Sequence, residues 1–392
     1  MKKIILCLLI LSLTASAFAS RLLRAGDSLI YVLTIDNTQR GTGDFFELKG
    51  DGLSDGVVVK YDKDLTFKKM VNSGCSYQVS FFDAVYDSKG YITVMGYASK
   101  EAFGTGILKD LKPKGGADII LVKYDMDLNI VKINNIGTKL NDWGNRIILS
   151  SKGNYIVVGH ETDQTLTKAI IYSVDENLEI NNKATFLGSF NKPSDSKFNI
   201  FYNVIETKSG DFALCGVIAK SYPEGSYADK GLVVVYDNKF KIKNKASFGT
   251  STQWITLADL IEKPEGGFII IGRTGGESEK GVLLDLDKNL LKTDVKFHFP
   301  TLSGGMPNYN DLLSIQPFTG NGGGYLIFGA AFYNKRGYVT YYMVYDSENG
   351  FEEICPLPEL TDINYYVGPD SSFYIIGYDK EGNLSPNTNA WF

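Results

Sequence analysis

Few side chains of this chain have the type and spacing to do chemistry, and most of them fall in one recurring slot. Seven residues before a turn glycine, or before the serine that replaces it, stand Arg21, Asp83, Arg146, Asn203, Asp259, Asp311 and Asn364. The sixth copy needs a small turn insertion, residues 320–323, to align. Apolar residues follow the slot, as Ile147 and Ile148 follow Arg146. Asp259 with Asp311 or Asp83 could supply the carboxylate pair that a glycan-cleaving enzyme uses as acid and base. The mixed signs suit a second role equally. Buried polar groups must be paired, so the slot can tie each repeat to its neighbour, or offer polar contacts to a zwitterionic or sugar ligand. A further set comes just after a second recurring glycine: Tyr97, His160, Val217, Arg273, Ala330 and Tyr378. Trp143 and Trp254 precede two of the slots. Aromatic rings beside carboxylates and arginines suit stacking and hydrogen bonding to a glycan or a peptide, although large aromatics also serve cores.

Other chemistry is poorly supplied. The only histidines are His160 and His298, which disfavours a histidine-rich metal site and a Ser-His-Asp triad. Cys75, Cys215 and Cys355 have no metal-ligand spacing. Cys215 lies in the apolar run Phe212–Gly216 and reads as a buried free thiol; a Cys75–Cys355 bridge stays open in an oxidising compartment. The turn Asp125-Met126-Asp127 resembles a calcium loop when read alone. Calcium wants six to eight oxygens at defined positions, and the same turn recurs in six copies, which marks it as structural. No metal, no cofactor and no catalytic residue is therefore assigned.

The elements that position these residues repeat along the chain. An apolar run closing on glycine recurs at Tyr91–Gly96, Tyr155–Gly159, Phe212–Gly216, Phe268–Gly272, Tyr325–Gly329 and Phe373–Gly377, and Leu29–Thr34 fits the slot with Thr34 in place of the glycine. A second run, ending in an aspartate turn, follows at Val57–Leu65, Ile120–Leu128, Ile170–Leu178, Val233–Phe240, Val282–Leu290 and Tyr341–Phe351. Asp side chains accept hydrogen bonds from turn backbone, and Asp and Asn tolerate tight turns. With a strand before and after, each unit reads as four antiparallel strands, a to d. Radial repetition of such units predicts an all-β fold, a β-propeller of seven four-stranded blades with the last truncated. Six blades with a strand-exchanged closure is the alternative. Blades are expected to start near residues 20, 77, 142, 199, 253, 308 and 361, in one domain over 20–392.

Residues 1–19 read as a cleavable signal peptide: Lys2 and Lys3, an apolar core, then Ala17-Phe18-Ala19 before Ser20. This implies a secreted or periplasmic protein. No later segment is long and apolar enough to span a bilayer. The formal charge of −5 includes Lys2 and Lys3, which leaves −7 after cleavage. No basic block offers a footprint for nucleic acid.

The copies resemble the repeats of bacterial secreted propellers of the delta-60 type, most closely from Ser151 through Gly159, Asp175–Leu178 and Phe186–Gly188. The resemblance implies the propeller fold. It implies no activity, because that family is mostly uncharacterised.

Strand alternation places the long b–c and d–a connections on one face: 37–56, 98–116, 189–198, 219–230 and 300–307. Repeat folds tend to bind on the face that carries insertions. The slot residues, Tyr97, His160, Arg273, Tyr378, Trp143 and Trp254 are expected to meet near one channel mouth on that face. The function expected is non-catalytic binding of a protein or glycan partner there. A structural propeller of the cell envelope and a glycan-processing hydrolase or lyase are the alternatives. Deletion of Ala98–Gly116 is expected to leave the fold intact.

Overall fold

A computed structural model of the chain describes residues 20–36, 39, 42–48, 52–163, 165–188, 198–219, 229–250, 253–275, 280–298, 309–317, 324–333, 337–346, 350–356, 361–367, 373–378 and 383–388. Residues 1–19, expected to be a signal segment, lie outside them, as do 189–197, 220–228, 299–308 and part of 37–56. Cys355, Asn364 and Tyr378 lie on described strands, but their side chains fall outside the description.

The described strands form antiparallel meanders in strict chain order. The first unit is β1 (Arg21–Ala25), β2 (Ser28–Asp36), β3 (Ser54–Asp62) and β4 (Phe67–Ser73). The second is β5 (Val79–Tyr86), β6 (Ile92–Ser99), β7 (Ala117–Tyr124) and β8 (Ile130–Ile136). The third is β9 (Asn141–Leu149), β10 (Tyr155–Thr162), β11 (Thr167–Val174) and β12 (Ile180–Phe186). The fourth is β13 (Phe198–Glu206), β14 (Phe212–Ala219), β15 (Asp229–Tyr236) and β16 (Ile242–Phe248). The fifth is β17 (Ile255–Glu262), β18 (Phe268–Thr274), β19 (Lys280–Leu286) and β20 (Lys292–His298). The sixth is β21 (Tyr309–Pro317), β22 (Tyr325–Tyr333), β23 (Gly337–Asp346) and β24 (Gly350–Pro356). The seventh has three strands, β25 (Thr361–Val367), β26 (Phe373–Tyr378) and β27 (Asn387–Thr388). The second, third and fourth units join through single parallel pairs, Ala117 with Asn141 and Thr167 with Phe198.

First strands of successive units lie side by side from β1 through β21, and β25 lies beside β1. Ile376 shares an apolar cluster with Tyr31, Leu33 and Phe45, and Leu384 N–H donates to Asp44 Oδ2 at 2.7 Å. The last unit thus packs on the first. Among the described residues no strand from the chain's start enters the last sheet, because β1 pairs with β2.

Sheets packed face to face explain the unbroken apolar runs. Each large core cluster spans two neighbouring units: Met95, Ile119 and Leu121 of the second meet Ile147 and Val157 of the third. A strand covered on both faces loses the polar alternation of a half-exposed one. Each fully buried Val, Ile or Leu contributes about 1.5–3 kcal/mol.

The glycine that closes each apolar run has a steric cause. On β9 the register slips at Asn145, so that Arg146 faces Val158 while Gly144 faces Gly159. A Cβ on Gly159 would lie 1.8 Å from the Trp143 carbonyl oxygen; Gly96, Gly216 and Gly272 meet the same obstacle at 1.9, 1.9 and 2.0 Å. The first unit corrects one sequence expectation. Leu33 faces Val57 as Gly96 faces Ile120, so Leu33, and not Thr34, holds the glycine's place. From Arg21 onward β1 pairs with β2 without a slip.

The aspartate turns behave as structural turns. In the five described turns, one carboxylate oxygen accepts two backbone N–H groups: Asp175 Oδ1 from Asn177 at 2.8 Å and Glu179 at 2.9 Å, with Asp62, Asp125, Asp237 and Asp287 alike. The left-handed residue is neither Asp nor Asn. It is the apolar residue three positions on: Leu65, Leu128, Leu178, Phe240 and Leu290 have φ of 57–62°. That conformation costs about 1–2 kcal/mol. Burial of Leu128, Leu178, Phe240 and Leu290 offsets it.

The 98–116 connection is no free appendage. Ala102 and Leu108, on the short turns Lys100–Ala102 and Gly106–Leu108, are fully buried in the cluster that includes Cys75 and Phe81. Asp118 accepts Lys114 N–H at 2.7 Å and Gly115 N–H at 2.9 Å, and Ile107 N–H donates to Gly74 O at 3.3 Å. Its removal would open the core, which corrects the expectation that the fold would not notice. Cys75 and Cys215 are buried free thiols, so Cys75 makes no bridge to Cys355.

Candidate functional site

In the second to sixth units the recurring slot lies one residue beyond the slip in the first strand. Asp83 faces Met95, Arg146 faces Val158, Asn203 faces Cys215 and Asp259 faces Ile271. In the sixth unit the residue facing Phe328 is Ser314; Asp311 faces Ala330, three positions earlier. The alignment that puts Asp311 in the slot takes too long an insertion, and Ser314 holds that place. Asn364 faces Ile376, in register with the slot.

Three slot residues fasten one unit to the next. Asp83 is 2 % exposed. Its Oδ1 accepts the Ala84 N–H at 2.9 Å, and its Oδ2 reaches into the next unit to accept the Ile147 N–H at 2.9 Å. Asp259 repeats the pattern: Oδ1 accepts from Leu260 N–H at 2.7 Å and from the Asn203 amide, while Oδ2 accepts from Ile315 N–H at 2.9 Å and Ser314 Oγ–H at 2.8 Å. Burial raises the Asp259 pKa, against the pull of Arg146 and these donors. Asn203 Oδ1 accepts the Val204 N–H at 2.7 Å. Asp83 and Asp259 therefore hold the ring together.

The arginines stand differently. Arg21 Nε lies 3.4 Å from Asp83 Oδ1, and Arg146 Nε lies 3.5 Å from Asp83 Oδ2. In the fifth unit Arg273 Nε lies 3.5 Å from Asp311 Oδ1, and its guanidinium stacks 5.3 Å over the Trp254 ring. Trp254 lies flat on Gly275, where any Cβ would overlap its indole. An open cleft beside this pair is lined by Tyr202, Thr256, Ala258 and Leu313.

An aromatic run crosses from the second unit to the third. Phe82 stacks on Tyr97 at 5.5 Å and 22°, Tyr97 tilts against Trp143 at 6.4 Å, and Trp143 stacks on His160 at 5.2 Å and 17°. All four rings are half-exposed. Trp143 and His160 face each other across β9 and β10. Burial lowers the His160 pKa to about 4, so the ring is neutral near pH 7, and its buried Nδ1 has no hydrogen-bond partner among the described residues.

The same geometry relates the two clusters. The residue after the glycine in one unit meets the first strand of the next, as Tyr97 meets Trp143 and Arg273 meets Asp311. Sequence reasoning missed Phe82 and Tyr202, which occupy the slipped positions of β5 and β13. Both immediately precede a slot residue, and that offset was the available signal. Val217 is buried and Ala330 half-exposed.

No known sequence family matches the chain, and no curated protein does. Among solved structures it is similar to an ulvan lyase of polysaccharide lyase family PL25, at 10% identity and a TM-score of 0.59 over 95% of this chain and 92% of that one. It is similar to the polysaccharide lyase Uly1, at 10% identity and a TM-score of 0.54 over 94% and 88%. The β-propeller domain of the Trilobed protease from Pyrococcus furiosus gives 12% identity and a TM-score of 0.48 over 94% and 92%. Likeness at such identity speaks for the fold alone. Its sheet topology and the likeness to the ulvan lyase make the chain an all-β propeller.

Proposed function

We propose that this protein is a secreted or periplasmic seven-bladed propeller that binds a glycan on an aromatic rim of its channel without transforming it. One observation carries the reading: the half-exposed run of Phe82, Tyr97, Trp143 and His160 across two neighbouring units. The C–H faces of sugar rings lie well on such surfaces, and ligand sites are largely apolar with a few placed polar groups. Arg273 and Asp311 supply a donor and an acceptor of the kind that adjacent sugar hydroxyls use. The engagement of Asp83 and Asp259 by backbone N–H groups supports a binding role, because a hydrolase keeps two carboxyl groups free at the scissile bond.

A glycan array on the purified protein tests this, followed by calorimetry on the best ligand. Trp143→Ala is expected to weaken binding at least about tenfold, which is about 1.4 kcal/mol. Unchanged affinity in that variant, with its fold intact, would overturn the reading. A glycan-processing role has one observation in its favour, the His160 imidazole on the rim, which burial keeps neutral near pH 7 and so able to accept a proton, though as a weak base. Product formation from the same glycans, lost in His160→Gln, would select it.

A further inference from the structure

We infer that His160 sets the specificity of this rim: held as its Nε2–H tautomer, it donates a hydrogen bond to a carbonyl oxygen, and the sugar seated beside Trp143 is an N-acetylated one. This deepens the glycan-binding reading above and rests on it. Trp143 and His160 face each other across β9 and β10, with their rings 5.2 Å apart at 17°. The next pair along the two strands, Asp142 and Glu161, is buried. By strand alternation that pair belongs to the opposite face of the sheet, so its carboxylates are turned away from the rings.

The tautomer follows from the surroundings of the imidazole. A neutral histidine carries one N–H and one bare ring nitrogen. Nδ1 of His160 is buried and has no hydrogen-bond partner among the described residues. The side chain as a whole is half-exposed, so the nitrogen that meets solvent is Nε2. A buried N–H without an acceptor is rarer and more destabilising than an acceptor left unpaired. The proton therefore belongs on Nε2, where water or a ligand can accept it. Burial keeps the ring neutral near pH 7, so this N–H is an uncharged donor.

The other polar atoms of the run agree. Trp143 has an N–H to give and nothing that accepts. The Tyr97 hydroxyl is already engaged with Ser80. A sugar hydroxyl placed here accepts a hydrogen bond but also has a proton to give, and that proton finds no ready acceptor among these rings. An acetamido group fits better. Its carbonyl oxygen only accepts, and its methyl adds apolar contact to the aromatic surface, the combination on which ligand sites are built. A His160 held this way has no lone pair on the ligand side, so this inference and the glycan-processing alternative exclude each other.

The test compares chitotetraose with cellotetraose by calorimetry, two tetrasaccharides of one linkage that differ in the acetamido group. Chitotetraose is expected to bind at least about fivefold more tightly, the worth of one neutral hydrogen bond. His160→Phe keeps a ring against Trp143 and removes the donor, and there the two affinities should come within about twofold of each other. A merely structural role for His160 would lower both affinities and keep their ratio, which would overturn the inference. Nitrogen NMR of the unaltered protein with labelled histidine reads the tautomer without any substitution, His298 being the only other histidine. It should show Nε2–H at His160, and Nδ1–H there would overturn the inference. Equal affinity for the two probes, with both lost in Trp143→Ala, would overturn it and leave the rim standing. So would failure of both probes while the array finds another glycan held through Trp143. A blank array overturns both readings.

Discussion

Replacing Asp259 by alanine should loosen the join between the fourth, fifth and sixth units. Its carboxylate accepts from Leu260 N–H, Ile315 N–H, Ser314 Oγ–H and the Asn203 amide. The Ser314 and Asn203 side chains can turn to other partners. The two backbone N–H groups cannot, since each is fixed in a buried first strand. An orphaned buried N–H costs about 1–3 kcal/mol, so the pair costs about 2–6 kcal/mol. Relief of the carboxylate's own desolvation offsets part of that, and about 3 kcal/mol of lost stability is expected. Asp259→Asn keeps the shape and one acceptor oxygen but turns an NH₂ toward donors, and should fall about midway. Asp311→Asn breaks a pair that still touches solvent and should cost under about 1 kcal/mol. Urea unfolding followed by tryptophan fluorescence reads all three. A loss within about 0.5 kcal/mol for Asp259→Ala would refute the claim that this residue fastens the units.

Other perturbations have equally definite outcomes. Burial raises the Asp142 pKa to about 6, with Glu161 and Asp118 adding to the rise and Thr138 opposing it. The folded state therefore holds an extra proton between about pH 4 and 6, and this stability is lost as pH rises through that window. In Asp142→Asn the loss should vanish, by up to about 3 kcal/mol, in urea melts at pH 4.5 and about 7 compared with the parent. The comparison with the parent matters because His160 and His298, both lowered to about 4, act in the opposite direction. Gly159→Ala should cost about 3 kcal/mol or more, since its Cβ would collide with the Trp143 carbonyl, and glycan affinity should fall with it. Excision of 98–116 should lower the urea midpoint and expose Cys75 to a maleimide while Cys215 stays protected; an unreactive Cys75 would contradict the packing described for that connection.

Much of the fold was legible in the sequence because its causes are local and repeat. Apolar runs, turn aspartates and closing glycines each answer to a constraint within one unit, and seven copies made them visible. The site was less legible, because its geometry arises between units. From the sequence, Asp83 could be a carboxylate for chemistry or a tie between repeats. Only the neighbouring strand shows that Ile147 N–H occupies it. Asp311 and Ser314 exchanged places because an insertion hides the register, which strand pairing alone reveals.

The sequence by itself determined the all-β repeat, the order of strands and the positions where polar residues recur, since strand period and turn chemistry are properties of short segments. The tertiary structure decided which of those residues are fasteners and which face solvent. It set Trp143 against His160 and Tyr97, Arg273 between Trp254 and Asp311, and two arginines around one buried carboxylate. Burial and pairing across packed sheets join residues far apart in the chain, and no local pattern encodes them.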